Sequence, residues 1–179
     1  MKKILCAFVI SFLPLTSVAE NLNFFSNQFH ESSEDAKGHS ITIDSVLSEG
    51  RHSFGLQRVQ QESETNNVDS YATSISTDLA LDSFLEGSAF IGLSYLNPSN
   101  DGAFGDSNQG FLRAGYAKIN GEGIDYKVYF QTWDENVDSS LGIMLRGPLL
   151  GDSLNWTVGY VRNLEIGKGD FSGGLSFRF

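Results

Sequence analysis

Cysteine is almost missing from this sequence: 179 residues contain one, Cys6. A single cysteine excludes a disulfide framework within one chain and any zinc site built from thiolates. Basic residues are few, 12 Lys+Arg against 22 Asp+Glu, for a formal charge of −10. That balance argues against a nucleic-acid binder, whose phosphate contacts need clustered Lys and Arg. Proline, at 3 residues, is too scarce for a proline-rich linker, and no stretch is low-complexity. No long apolar run follows the N-terminus and the mean hydropathy is −0.16, which excludes a bundle of membrane-spanning helices. A membrane barrel stays open, because its apolar residues recur at every second position. The length allows one domain, or at most two small ones, and no boundary is visible.

The N-terminus reads as an address. Lys2 and Lys3 precede an apolar run from Ile4 to Leu15, broken only by Ser11 and Pro14. Thr16-Ser17-Val18-Ala19 then offers small residues for cleavage before Glu20. This is the pattern of a secretory signal peptide, so 1–19 is expected to be a leader and 20–179 the folded domain. Cys6 lies too early for a lipoprotein cleavage box, and no lipidation is expected. Without cysteine, the exported chain draws its stability from burial or from lipid.

Beyond the leader, period-two alternation dominates. Phe171, Gly173, Leu175, Phe177 and Phe179 alternate with Ser172, Gly174, Ser176 and Arg178. Leu154, Trp156, Val158 and Tyr160 alternate with Asn155, Thr157 and Gly159, and the same holds for Leu141–Arg146, Ile124–Gln131, Ser88–Tyr95 and Tyr71–Leu81. Weaker alternation covers Gln109–Ile119, Arg51–Gln60 and His39–Ser48. The weakest is Leu22–Phe29, where Phe24, Phe25 and Phe29 do not share a parity. No stretch carries a convincing helical period. The expected fold is all-β, with ten strands favoured over eight.

Connections suggest the architecture. Ser48–Arg51, Asp82–Glu86, Asn120–Gly123 and Leu150–Asp152 read as tight turns. His30–Gly38, Gln61–Asp69, Asn97–Asn108, Asp134–Ser139 and Asn163–Gly169 read as longer polar loops. On this reading long and short connections alternate without exception, as in a transmembrane antiparallel up-and-down β-barrel. Lipid supplies no hydrogen-bond partners, so strands that cross it must close on themselves. Tyr71, Tyr95, Tyr160 and Phe171 fall near the loop ends of the apolar face, and Phe54, Tyr116, Tyr126 and Phe179 near the turn ends, as interfacial belts require. Alternation alone also fits a secreted soluble β-sandwich with the faces inverted. Loop sorting, aromatic placement and the terminus favour the barrel.

The closing segment Phe171-Ser-Gly-Gly-Leu-Ser-Phe-Arg-Phe179 resembles the C-terminal strand signature of Gram-negative outer membrane β-barrels. In size the chain is similar to the small OmpA/OmpX-type barrels and to porin-family barrels. The resemblance implies an outer membrane location and a C-terminal assembly signal, carried by Phe171, Leu175, Phe177 and Phe179, read by the barrel assembly machinery. It also implies outer membrane lipid and lipopolysaccharide as surroundings; a monomer is expected, and the charge balance leaves no nucleic-acid partner expected.

Catalytic chemistry finds little support. His52 stands by a turn, whereas His30 and His39 bracket the first loop with Glu31, Glu34 and Asp35 between them. An acid–His pair there is what the alternative reading needs, an outer membrane protease or lipid-modifying hydrolase at the rim. His39 and Ser40 are adjacent, but neighbours on a strand point to opposite faces. No nucleophile–base–orienter set and no calcium-loop spacing is visible, so no catalytic residue, cofactor or metal is expected. The charges say more. The long loops carry nearly all the net negative charge, which predicts an acidic outer rim. The polar face of the strands carries both signs: Arg113, Lys127, Arg146 and Arg178 can pair with Asp44, Asp78 and Asp125 in a narrow or plugged lumen. The expected role is structural, adhesin-like or narrowly porin-like.

Overall fold

The structure, a computed structural model, describes residues 22–32, 36–47, 52–63, 69–99, 108–119, 123–132 and 139–179. The leader 1–19, with Cys6, lies outside the described residues. Ten strands follow in order: β1 Leu22–Ser32, β2 Ala36–Leu47, β3 His52–Ser63, β4 Asp69–Phe84, β5 Gly87–Pro98, β6 Gln109–Lys118, β7 Asp125–Thr132, β8 Ser140–Leu150, β9 Leu154–Asn163 and β10 Gly169–Arg178. Each pairs antiparallel with its sequence neighbours, and β1 pairs with β10, so the sheet closes as an up-and-down barrel with no free edge. The eight-strand alternative is thereby excluded.

The segment with the faintest pattern is the one that closes the ring. β1 sets Phe24 opposite Arg178 and Phe25 opposite Phe177. Its mixed parity has a simple cause: Phe24 is 1% exposed inside the barrel, whereas Phe25 and Phe29 stand on the outer wall. Phe24 is thus not part of the outer apolar face.

Connection lengths correct one expectation. Only 33–35 separate β1 from β2, because both strands run on through the polar residues at the supposed loop ends. Six residues, 119–124, separate β6 from β7, where a four-residue turn was expected. Sorting by length is therefore a tendency rather than strict. Backbone pairing does not require apolar side chains, so strands outlast the pattern that reveals them.

The wall is inside-out relative to a water-soluble barrel. Leu93 is 51% exposed, and Ile43, Leu56, Ile91, Leu112, Ile143, Leu175 and Phe177 share the same outer surface. Ser26, Ser40, Thr157 and Ser176 have no exposed surface. The Ser26 hydroxyl donates to Ser176 Oγ at 3.0 Å across the closing seam. Burying one large apolar side chain is worth about 1.5–3 kcal/mol, so a continuous belt of them facing outward is stable only against lipid. This is the construction of a transmembrane barrel. No helix among the described residues is long and apolar enough to cross a membrane.

The β4–β5 turn is tight and strained. Leu85 and Glu86 take φ of 48° and 65°, both in the left-handed region that a two-residue hairpin of this hand demands and that residues with a Cβ resist. Two side chains from β6 brace it. The Tyr116 hydroxyl donates to the Leu85 carbonyl at 2.8 Å, and Lys118 Nζ lies 2.8 Å from Glu86 Oε2. The hydrogen bond from Lys118 holds the Glu86 carboxyl below its ordinary range. Replacing Leu85 by Asn and Glu86 by Gly should raise unfolding stability in urea by roughly 1–2 kcal/mol, since the relieved strain exceeds the value of one exposed ion pair.

Candidate functional site

The inward positions of the strands build a charged layer across the lumen. β2 and β8 lie four strands apart round one side of the ring. Even so, Arg146 Nη2 donates to Asp44 Oδ2 at 2.9 Å, and the Arg146 guanidinium lies 3.8 Å from the centre of the Phe24 ring. A second cluster forms beside it. Asp78 on β4 is bonded to Lys127 on β7, and its other oxygen lies 3.8 Å from Arg113 Nε on β6. Lys127 sits 4.8 Å from the Phe90 ring centre and Arg113 4.7 Å from that of Tyr129. Each of these three cations therefore has a carboxylate and an aromatic face, two environments that offset desolvation of the charge.

Asp125 and Arg178 share the inward face. Asp125 is buried directly across the β7–β8 pair from Arg146, and Arg178 lies across the closing seam from Phe24. Both interact with neighbouring groups. Gly92 makes the Asp78 position feasible. A Cβ there would stand 2.0 Å from Asp78 Oδ1 and 2.5 Å from the Thr77 carbonyl, so only glycine lets the carboxylate lie against β5.

On the turn side of this layer Leu22, Phe24 and Val46 form an apolar cluster, with Ile119 against it. On the loop side lies a cavity of about 410 Å³. Gln28, Thr42, Gln57, Ser74, Gln131 and Ser172 are among its lining. Among the described residues the lumen is thus a polar well on the loop side, crossed by ion pairs and stopped by hydrocarbon below.

The first two histidines flank the β1–β2 connection from within the strands, not from its ends. His30 and His39 both lie in strands, the first facing the lumen and the second the outer wall, and His30 Nε2 is 2.5 Å from Ser40 Oγ. Ser40 has no exposed surface, whereas His30 is among the residues that line the loop-side cavity. His52 opens β3, and its side chain lies outside the described residues. Among the described residues no cluster of His, Cys, Asp and Glu could hold a metal ion. Phe171, Leu175, Phe177 and Phe179 form one exposed outward row along and just past β10. Of the expected acidic rim, Glu31, Glu165 and Asp170 are exposed at the loop end. Glu34, Asp35, Glu64, Asp101, Asp106, Asp134, Glu135 and Asp138 lie outside the described residues, as do the side chains of Glu62 and Asp69.

No family model and no curated protein matches the sequence. Among solved structures, the chain is similar to the N-terminal β-barrel domain of Pseudomonas aeruginosa OprF, at 12% identity and a TM-score of 0.42, covering 89% of this chain and 97% of that one. It is similar to Neisserial surface protein A, NspA, at 13% and 0.38, covering 92% and 100%. It is also similar to the Salmonella typhi outer membrane phospholipase OMPLA, a dimer with bound calcium, at 9% and 0.41, covering 92% and 93%.

Proposed function

We propose that this chain is a monomeric integral protein of the Gram-negative outer membrane, exported by its leader and assembled through the outward row Phe171, Leu175, Phe177 and Phe179. Its role is that of a closed, non-catalytic barrel that presents an acidic rim at the cell surface, structural or adhesin-like rather than a diffusion pore. The observation that carries this reading is the Arg146–Asp44 bond spanning the lumen over Phe24, with Leu22 and Val46 beneath. Ions would have to part an ion pair whose arginine is buried and whose Asp44 carboxylate is half-buried, and then wet an apolar stop, and both steps are costly. An acidic rim repels polyanions and gathers cations, which suits contact with a phosphate-rich surface through divalent ions.

Purified folded protein in planar bilayers tests the closed state. The expected result is insertion without steady conductance; stable ohmic steps from the unmodified chain would refute it. The enzymatic reading is tested with the same preparation. Peptidase and phospholipase assays should give no turnover, and a turnover abolished by His30→Ala would reinstate a rim site.

A further inference from the structure

The outer wall carries a cation away from both the lumen and the strand ends. Arg58 shares the outward face of β3 with Phe54 and Leu56, and its side chain is exposed on that wall. Among the described residues it faces no carboxylate. Its guanidinium lies 5.6 Å from the ring centre of Tyr71 on β4. Register gives it mixed company, with one apolar neighbour, Ile41, and polar residues beyond. Arg58 stands opposite Ile41 and Thr73, Ile41 opposite Asn27, and Thr73 opposite Asn97. One step nearer the loops, His39 and Tyr71 both stand opposite Gln60. At about 4.8 Å per strand, the row from Asn27 to Asn97 spans about 20 Å of wall. Below it the wall turns apolar, with Ile43, Leu56 and Ile75 on the next row.

A charged side chain on a lipid face is costly at the midplane and nearly free near the interface. Arg58 lies just into the loop half of β3, one row below Tyr71 and one row above Tyr95, at the height of the loop-side aromatics that mark the interface. Resting on the Tyr71 ring holds the guanidinium in place, and its planar fork matches the oxygens of a phosphate. Amides and hydroxyls on either side can bond a sugar. We propose that Arg58, with Tyr71 and His39, forms a headgroup site on the outer wall of β1–β5 for a phosphorylated glycolipid of the outer leaflet. The inference rests on the outer membrane reading, which puts the loop end in that leaflet.

The test uses the whole folded protein in nanodiscs, with native mass spectrometry to count bound lipid. The probes are bisphosphorylated lipid A and its dephosphorylated form. Each variant is first checked for a heat-shifted band on SDS gels, which shows that it has folded. Expected is retention of the bisphosphorylated form, about tenfold weaker in Arg58→Gln and intermediate in Arg58→Lys, since one charge-assisted fork is lost or replaced. Lys118→Gln, at the turn end, should bind like the unmodified protein, and millimolar inorganic phosphate should not displace the lipid. Equal retention of the dephosphorylated form, or unchanged retention by folded Arg58→Gln, overturns the site. Displacement by inorganic phosphate overturns the lipid as its occupant. A chain that folds but stays out of the nanodisc overturns the membrane reading together with the site.

Discussion

Replacing Asp78 with leucine should destabilise the barrel by about 3–5 kcal/mol, the largest single-residue loss expected anywhere in the molecule. The Asp78 side chain is 6% exposed, and the cations it serves, Lys127 and Arg113, are 12% and 10% exposed. Removing the carboxylate leaves two buried positive charges facing each other. Their aromatic neighbours Phe90 and Tyr129 soften but do not balance that repulsion. Urea unfolding of the protein folded into lipid vesicles measures the loss. Asp78→Leu combined with Lys127→Met should recover most of it, because one charge pair exchanged for hydrocarbon of similar volume is often close to neutral. If the single variant is as stable as the parent, the charges are solvated and the lumen is wet at this height. Gly92→Ala should reproduce part of the defect without removing a charge, since it drives a methyl group into the same carboxylate.

Removing the stop should open a pore. Phe24→Ala together with Arg146→Ala deletes the ring and the cation that cross the lumen between β1, β2 and β8. It thereby joins the loop-side well to the turn-side end. Planar-bilayer recordings should change from no steady conductance to stable steps. The current should favour cations, because Asp44 has lost its partner at the constriction. Arg146→Ala alone should give a smaller or intermittent conductance, with Phe24 still in place. A double variant that folds and stays silent would locate the block in the loops instead.

How far the sequence discloses this architecture varies along the chain. β10 is legible because Phe171, Leu175 and Phe177 face lipid and Ser172, Ser176 and Arg178 face the lumen, so chemistry and parity agree. β1 is nearly illegible because Phe24 is an inward aromatic that serves as a seat for Arg146. Apolar character then no longer reports which face a residue is on. Phe90 and Tyr129 are inward for the same reason, each under a lumen cation. A sequence pattern that treats aromatics as wall residues passes over them. Which carboxylate meets which cation was equally hidden, because partners such as Asp44 and Arg146 are 102 positions apart and meet through closure of the ring. Arg58 escapes a reading by alternation too. It sits at an apolar-face position and makes sense only once its height on the wall is known. The lone signal was the parity violation itself: a cation in step with Phe54 and Leu56.

The inside-out wall is the claim on which all else depends, and adjacent residues of β5 test it. Leu93 faces outward at 51% exposure, and Ser94 faces the loop-side well. In a background with Cys6 replaced by Ser, each is changed to Cys and spin-labelled in the vesicle-inserted protein. Collision with oxygen, which partitions into lipid, is compared with collision with a water-soluble nickel chelate. The label at 93 should respond to oxygen and ignore the chelate, while the label at 94 should be far less responsive to oxygen. The reverse order, a wet 93 beside a dry 94, would mean a soluble β-domain with its core where the lumen is drawn.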